Sequence, residues 1–165
     1  MPIRGRLPVL ASLLLILAAQ PALAEWSYIA PGDADPNVHR AFAFAEDSDD
    51  RLEFACNSDR RDFFYTTAQT VSEPELAKIK AGKPTLLVRL EGVGVVPLEA
   101  NDAYQKGGRL IFVTAVSPAF IKDFAKASKP FAAGMQAAGN VVRQGEFPAQ
   151  DVQAAMQGLA NGCGF

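Results

Sequence analysis

The chain has 165 residues, 49% hydrophobic and 21% charged, with a formal net charge of −2. Its basic residues are scattered among 18 acidic ones, so no electrostatic footprint for nucleic acid is present. With a single histidine and two cysteines, it lacks the ligands for a zinc site.

The first segment reads as one that is removed. Arg4 and Arg6 precede an apolar run from Leu7 to Ala19, and Ala22-Leu23-Ala24 stands before Glu25. A positive start, a short apolar centre and an A-x-A site are the layout of a secretory signal peptide, residues 1–24. The run is short for a membrane span of about 20 residues, and Gln20 and Pro21 interrupt it. Cleavage leaves residues 25–165, one β-rich domain carrying 14 basic against 18 acidic residues. The expectation is a soluble periplasmic or secreted protein with no membrane span after cleavage. In such an oxidising compartment Cys56 and Cys163 read as a disulfide; two separate buried thiols are the alternative.

Trp26 opens a short apolar piece, followed by the turn-rich "PGDADPN". In "RAFAFAEDSDDRLEFAC", Phe42 and Phe44 share one parity and the alanines the other, and Leu52, Phe54 and Cys56 again share a parity. Period-two alternation on both sides of a polar loop predicts a hairpin with Cys56 pointing inward beside Leu52 and Phe54. "DFFYTTAQT" predicts a third strand. Ser72 and Glu75 have capping-box spacing, Pro74 lies between them, and Gly82 can end a short helix or helical turn. "TLLVRLEG" predicts a strand with Leu86, Val88 and Leu90 inward; "VGVVPLEA" pairs back on it, Pro97 marking an edge or strand end. "RLIFVTAV", apolar on both parities, belongs in a sheet interior. Ser117 and Pro118 fit the N-cap and first turn of a helix near 118–128. "FAAGMQAAG" reads as loose and "NVVRQGEF" as a last strand. Val152, Ala155, Met156 and Leu159 form one face of a terminal helix near 149–161; Cys163 continues that stripe, although Gly162 is placed to end the helix.

Chemistry is sparse. His39 lies in a loop and reads as a solvated side chain. The acidic run Glu46 to Asp50 offers oxygen ligands but lacks the spacing of a calcium loop, and a solubilising turn explains it equally. Glu91 and Glu99 are the one imaginable glycosidase pair. There is no G-x-S-x-G elbow and no glycine-rich nucleotide loop, and neither Ser117 nor Ser128 has an activating context. A cysteine nucleophile is incompatible with the disulfide. Arg60, Arg61 and Tyr65 mix arginine with aromatic residues, a composition favoured at binding hot spots; an ordinary loop entering a strand is the plain alternative.

Trp26, a strand ending in Cys56, and a terminal helix carrying Gly158, Leu159 and Cys163 resemble small bacterial periplasmic proteins of the type VI secretion-associated VasI/TagO-like group. More loosely they resemble the invasion-associated locus B proteins. The resemblance implies a structural bridge between a strand and the last helix, and a small β-domain in a cell-envelope assembly. The segment Pro130 to Gly139 fits no motif of that group. The expected fold is a mainly β (α+β) antiparallel sandwich or roll of seven or so strands with two short helices, the C-terminal one tied to a strand by the disulfide. The expected function is a non-catalytic periplasmic binding or accessory protein with a protein partner in the envelope, linked to a secretion system through the resemblance. It needs no cofactor and no metal. A small-molecule or lipid carrier with an apolar cavity is the alternative, and a hydrolase with an unrecognised site the third reading.

Overall fold

The computed structural model describes residues 25–33 and 35–165; the expected signal segment lies outside them. Ten strands and three helices follow in chain order. They are β1 (Ser27–Ile29), β2 (His39–Phe44), β3 (Arg51–Cys56), β4 (Arg61–Thr67), α1 (Glu73–Ala81), β5 (Thr85–Leu90) and β6 (Gly94–Glu99). Then come β7 (Asp102–Lys106), β8 (Arg109–Ala115), α2 (Pro118–Phe124), β9 (Phe131–Ala137), β10 (Asn140–Phe147) and α3 (Val152–Cys163). All strand pairs are antiparallel and form two sheets, β1-β2-β3-β4-β8-β7 and β10-β9-β5-β6.

The inner faces of the two sheets meet in one core. Phe54 and Phe63 stack at 4.5 Å, Phe124 of α2 packs edge-on to Phe54 at 4.8 Å and to Phe131 at 5.0 Å, and Tyr65 meets Phe147 at 5.8 Å. Such tilted and edge-to-face rings add to the area they bury. Trp26 is buried against Phe54 and Phe124, and its indole N–H donates to the Pro148 carbonyl at 2.9 Å. Leu52, Phe54 and Cys56 point inward, as do Leu86, Val88 and Leu90. β8 lies inside the larger sheet, and the edge strand β6 carries Pro97. Ser117 caps α2 by accepting from the Phe120 N–H at 3.2 Å, and the Glu75 carboxylate accepts from the Ser72 N–H at 2.8 Å in the first turn of α1.

Three expectations are corrected. The segment read as loose is β9, held between β10 and β5. Alanine and glycine are poor strand formers, but here small size is a requirement. A Cβ on Gly134 would come within 2.7 Å of the Arg143 carbonyl, beside a bulge between Val141 and Arg143. A two-residue turn with positive φ at Ala138 (49°) and Gly139 (78°) joins β9 to β10. The strands number ten rather than seven or so, the additions being β1, β7 and β9, and the short helix or helical turn read after Ser72 is α1, a third helix beside the two counted in the expected fold. Finally, α3 runs through Gly162 to Cys163 and ends at Gly164, whose φ is 70°.

Gly162 has another task. α3 lies across β1 and β2, and a Cβ on Gly162 would sit 2.2 Å from the His39 ring, while one on Gly158 would sit 2.8 Å from the Tyr28 ring. On the same face of β2 as His39, Ala41 and Ala43 are fully buried, so Phe42 and Phe44 are turned to the opposite face. The Cys56–Cys163 disulfide, with Cα atoms 6.2 Å apart, fastens the helix end to β3. The bridge spans a sequence separation of 107 residues, so Cys163→Ser is expected to lower the unfolding free energy by roughly 2–5 kcal/mol, read from urea titrations. Gly162→Ala is expected to cost about 1–3 kcal/mol, and His39→Ala in the same chain to recover most of it; additive losses in that cycle contradict the close packing.

Candidate functional site

The residues singled out in the sequence do not gather in one place. Arg60 precedes β4 and pairs with Asp62 at 2.6 Å on the outward side of the larger sheet. Arg61, of opposite parity, lays its guanidinium 5.1 Å over the Phe165 ring. Tyr65 shares the parity of Phe63 and is fully buried. Strand alternation therefore separates Tyr65 and Arg61 from Arg60, and the three form no common surface.

Tyr65 belongs instead to a buried polar cluster. Asp50, last residue of the acidic run, is turned inward with no solvent exposure. It accepts from Tyr65 Oη at 2.9 Å and from Arg143 Nε at 2.6 Å. Gly145 makes room, because a Cβ there would lie 3.4 Å from the phenol oxygen and 3.2 Å from Ala45 Cβ. Burial, then the charge of Asp50, holds the Tyr65 phenol protonated far above its usual range. The cluster ties the β2–β3 turn to β10 and so clamps one end of the two sheets together. It holds no nucleophile with a free base beside it.

The remaining candidates disperse as well. His39 is not a loop side chain: it begins β2, its Nδ1 lies 2.7 Å from Tyr28 Oη, and its ring stacks on Tyr28 under α3. Glu91 sits at the β5–β6 turn and pairs with Lys129 at 2.6 Å, whose hydrogen bond keeps its carboxyl below the usual range. Glu99 is at the far end of that hairpin, opposite Thr85. The strand length between them, roughly 16 Å, is too great for a glycosidase pair. Among the described residues no three His, Cys, Asp or Glu side chains converge on a point.

The outward face of the six-stranded sheet gathers aromatic and arginine side chains, whereas the outward face of the other sheet exposes Val95 and Val141 near Arg89 and Gln144. The register sets Phe42 beside Glu53 and Glu53 beside Phe64, then Phe44 beside Arg51, with Ile29 beside Arg40 at the β1 margin. Tyr104 and Ile111 lie opposite each other toward β7. Glu53 is only 2% exposed because Arg40 and Arg51 both pair with it; Arg40 also reaches Asp35 at 2.7 Å. The Arg51 guanidinium lies 5.5 Å over the Phe42 ring, and Phe42 meets Phe44 edge-on at 6.0 Å. Phe44 is 44% and Ile29 49% exposed. Rings and guanidinium planes are thus fixed in place at an open face, an arrangement suited to binding. Sequence reading missed these residues because either parity of β2 could have faced inward; only the small alanines hinted at an overlying helix.

Comparison of the chain with protein-family models, curated proteins and solved structures finds no match.

Because Asp50 is wholly buried, Asp50→Ala is expected to destabilise by about 2–4 kcal/mol, leaving the Tyr65 hydroxyl and the Arg143 guanidinium without their acceptor. Tyr65 has a folded-state pKa raised above the unfolded value of about 10. Its contribution is therefore complete below that pH and is lost as pH rises beyond it. Urea midpoints are expected to fall above pH about 10 in the wild type and to fall less in Tyr65→Phe.

Proposed function

We propose that the chain is a non-catalytic binding or accessory module of the cell envelope, exported to the periplasm or secreted, whose protein partner docks on the outward face of the six-stranded sheet. The observation that carries this reading is the open cluster of Phe42, Phe44 and Ile29 around the Arg40–Glu53–Arg51 ion pairs. Aromatic and arginine side chains held in place at an exposed face are the types that anchor protein interfaces. The leader-like residues 1–24 and the disulfide support export, and the resemblance to secretion-associated proteins suggests the kind of assembly served. Ring-to-ring packing fills the space between the sheets, which weighs against the carrier reading.

A photoreactive amino acid at position 44, activated in intact cells, is expected to trap an envelope protein, whereas the same probe at exposed Lys126 on the helical side is not. Trapping from position 126 and none from position 44 contradicts the reading. So does an esterase, peptidase or glycosidase activity that one carboxylate substitution abolishes.

A further inference from the structure

We infer that the outward face of the six-stranded sheet binds a second copy of this chain, face to face. The inference rests on reading that face as an interaction surface and adds the identity of one occupant.

Association through strand edges is blocked. β1 has three residues, and the Trp26 N–H beside it is taken by the Gln150 carbonyl at 3.0 Å. β7 has α1 packed along it, and its Gln105 side chain accepts the Val71 N–H at 2.7 Å. β6 carries Pro97, with Gly94 at its start in a positive-φ conformation. β10 is bulged, and its Glu146 carbonyl already accepts the Glu46 N–H at 2.9 Å. Short length, coverage, proline and bulges are the devices that keep sheet edges from pairing with other chains. The broad face has no such device, and Phe44 and Ile29 project from it.

Charge then narrows the occupant. Across the centre of the face Arg40, Arg51 and Arg60 are matched by Asp35, Glu53 and Asp62 within the same chain. The centre offers no net charge, so neither a polyanion nor an anionic bilayer gains attraction there. A fitting partner is itself internally neutralised and offers apolar side chains toward its β1–β2 margin, and an identical face meets both conditions. Two sheets with the same right-handed twist also pack aligned, as the sheets of a sandwich do. Five strands of five to seven residues and the three-residue β1 make a face of at most roughly 25 Å by 18 Å. Burying two such faces removes on the order of 1,000 Å² in total, the size of a weak, reversible interface. Apolar contact around Phe44 and Ile29, on its β1–β2 side, supplies the affinity.

Sedimentation velocity of the purified, unreduced protein over a hundredfold range of concentration tests this. The expected result is a concentration-dependent shift from monomer to dimer that Phe44→Arg together with Ile29→Arg abolishes, with thermal melting of the dilute variant unchanged. The photoreactive residue at position 44 is expected to give a covalent dimer at high concentration. A wild type that stays monomeric throughout overturns the inference, as does a dimer that survives both substitutions. If the purified protein is monomeric while position 44 still traps a different envelope protein, the self-association is wrong and the interaction reading stands.

Discussion

The close approach of α3 to β1 and β2 is the constraint on which the rest depends. Gly158 and Gly162 bring the helix backbone onto the Tyr28 and His39 rings, and the disulfide to Cys56 holds its last turn there. The two rings fit because the helix positions above them lack side chains, and on the same face of β2 as His39 stand the fully buried Ala41 and Ala43. Strand periodicity does the rest, because fixing the alanines inward sends Phe42 and Phe44 outward. The candidate interaction surface is thus a consequence of how the chain terminus is packed.

The two ends of the sandwich are closed by different physics. At one end the disulfide and the helix exclude water around Trp26, Phe54 and Phe124. At the other, Asp50 receives Tyr65 and Arg143 across the gap between the sheets. A buried carboxylate is costly unless its acceptor sites are filled, so the second closure is specific in geometry as well as attractive. Both closures leave the outward face of the larger sheet untouched. That face is ordered by its own side chains: Glu53 fixes two guanidiniums, and Arg51 in turn steadies the Phe42 ring. Groups already held in place lose little entropy on binding.

Much of the fold was legible in the residues. Alternation located β2, β3 and β5, a run apolar on both parities located β8, capping chemistry located α1 and α2, and the stripe from Val152 to Leu159 located α3. Two cysteines in a chain with a leader-like start left one pairing, which the structure contains. What was hidden has physical reasons. β9 is made of alanine and glycine, whose weak strand preference is overridden by pairing on both edges and by the crowding at Gly134. Gly162 looked like a helix terminator because local chemistry does not reveal that a histidine ring lies against it. The candidate surface was the least legible, since its members come from β1, β2, β3, β4, β7 and β8 and only the register assembles them. Of the surface residues proposed from the sequence, Arg60 alone lies on its outward side; Arg61 and Tyr65 have the opposite parity.

The docking of α3 is therefore the point to measure. Proton–proton Overhauser contacts in the NMR spectrum report it directly. The account predicts contacts from the α protons of Gly162 to the His39 ring and of Gly158 to the Tyr28 ring, with none from either glycine to Phe42 or Phe44. Contacts from these glycines to Phe42 or Phe44 would place the opposite parity of β2 beneath the helix and contradict it.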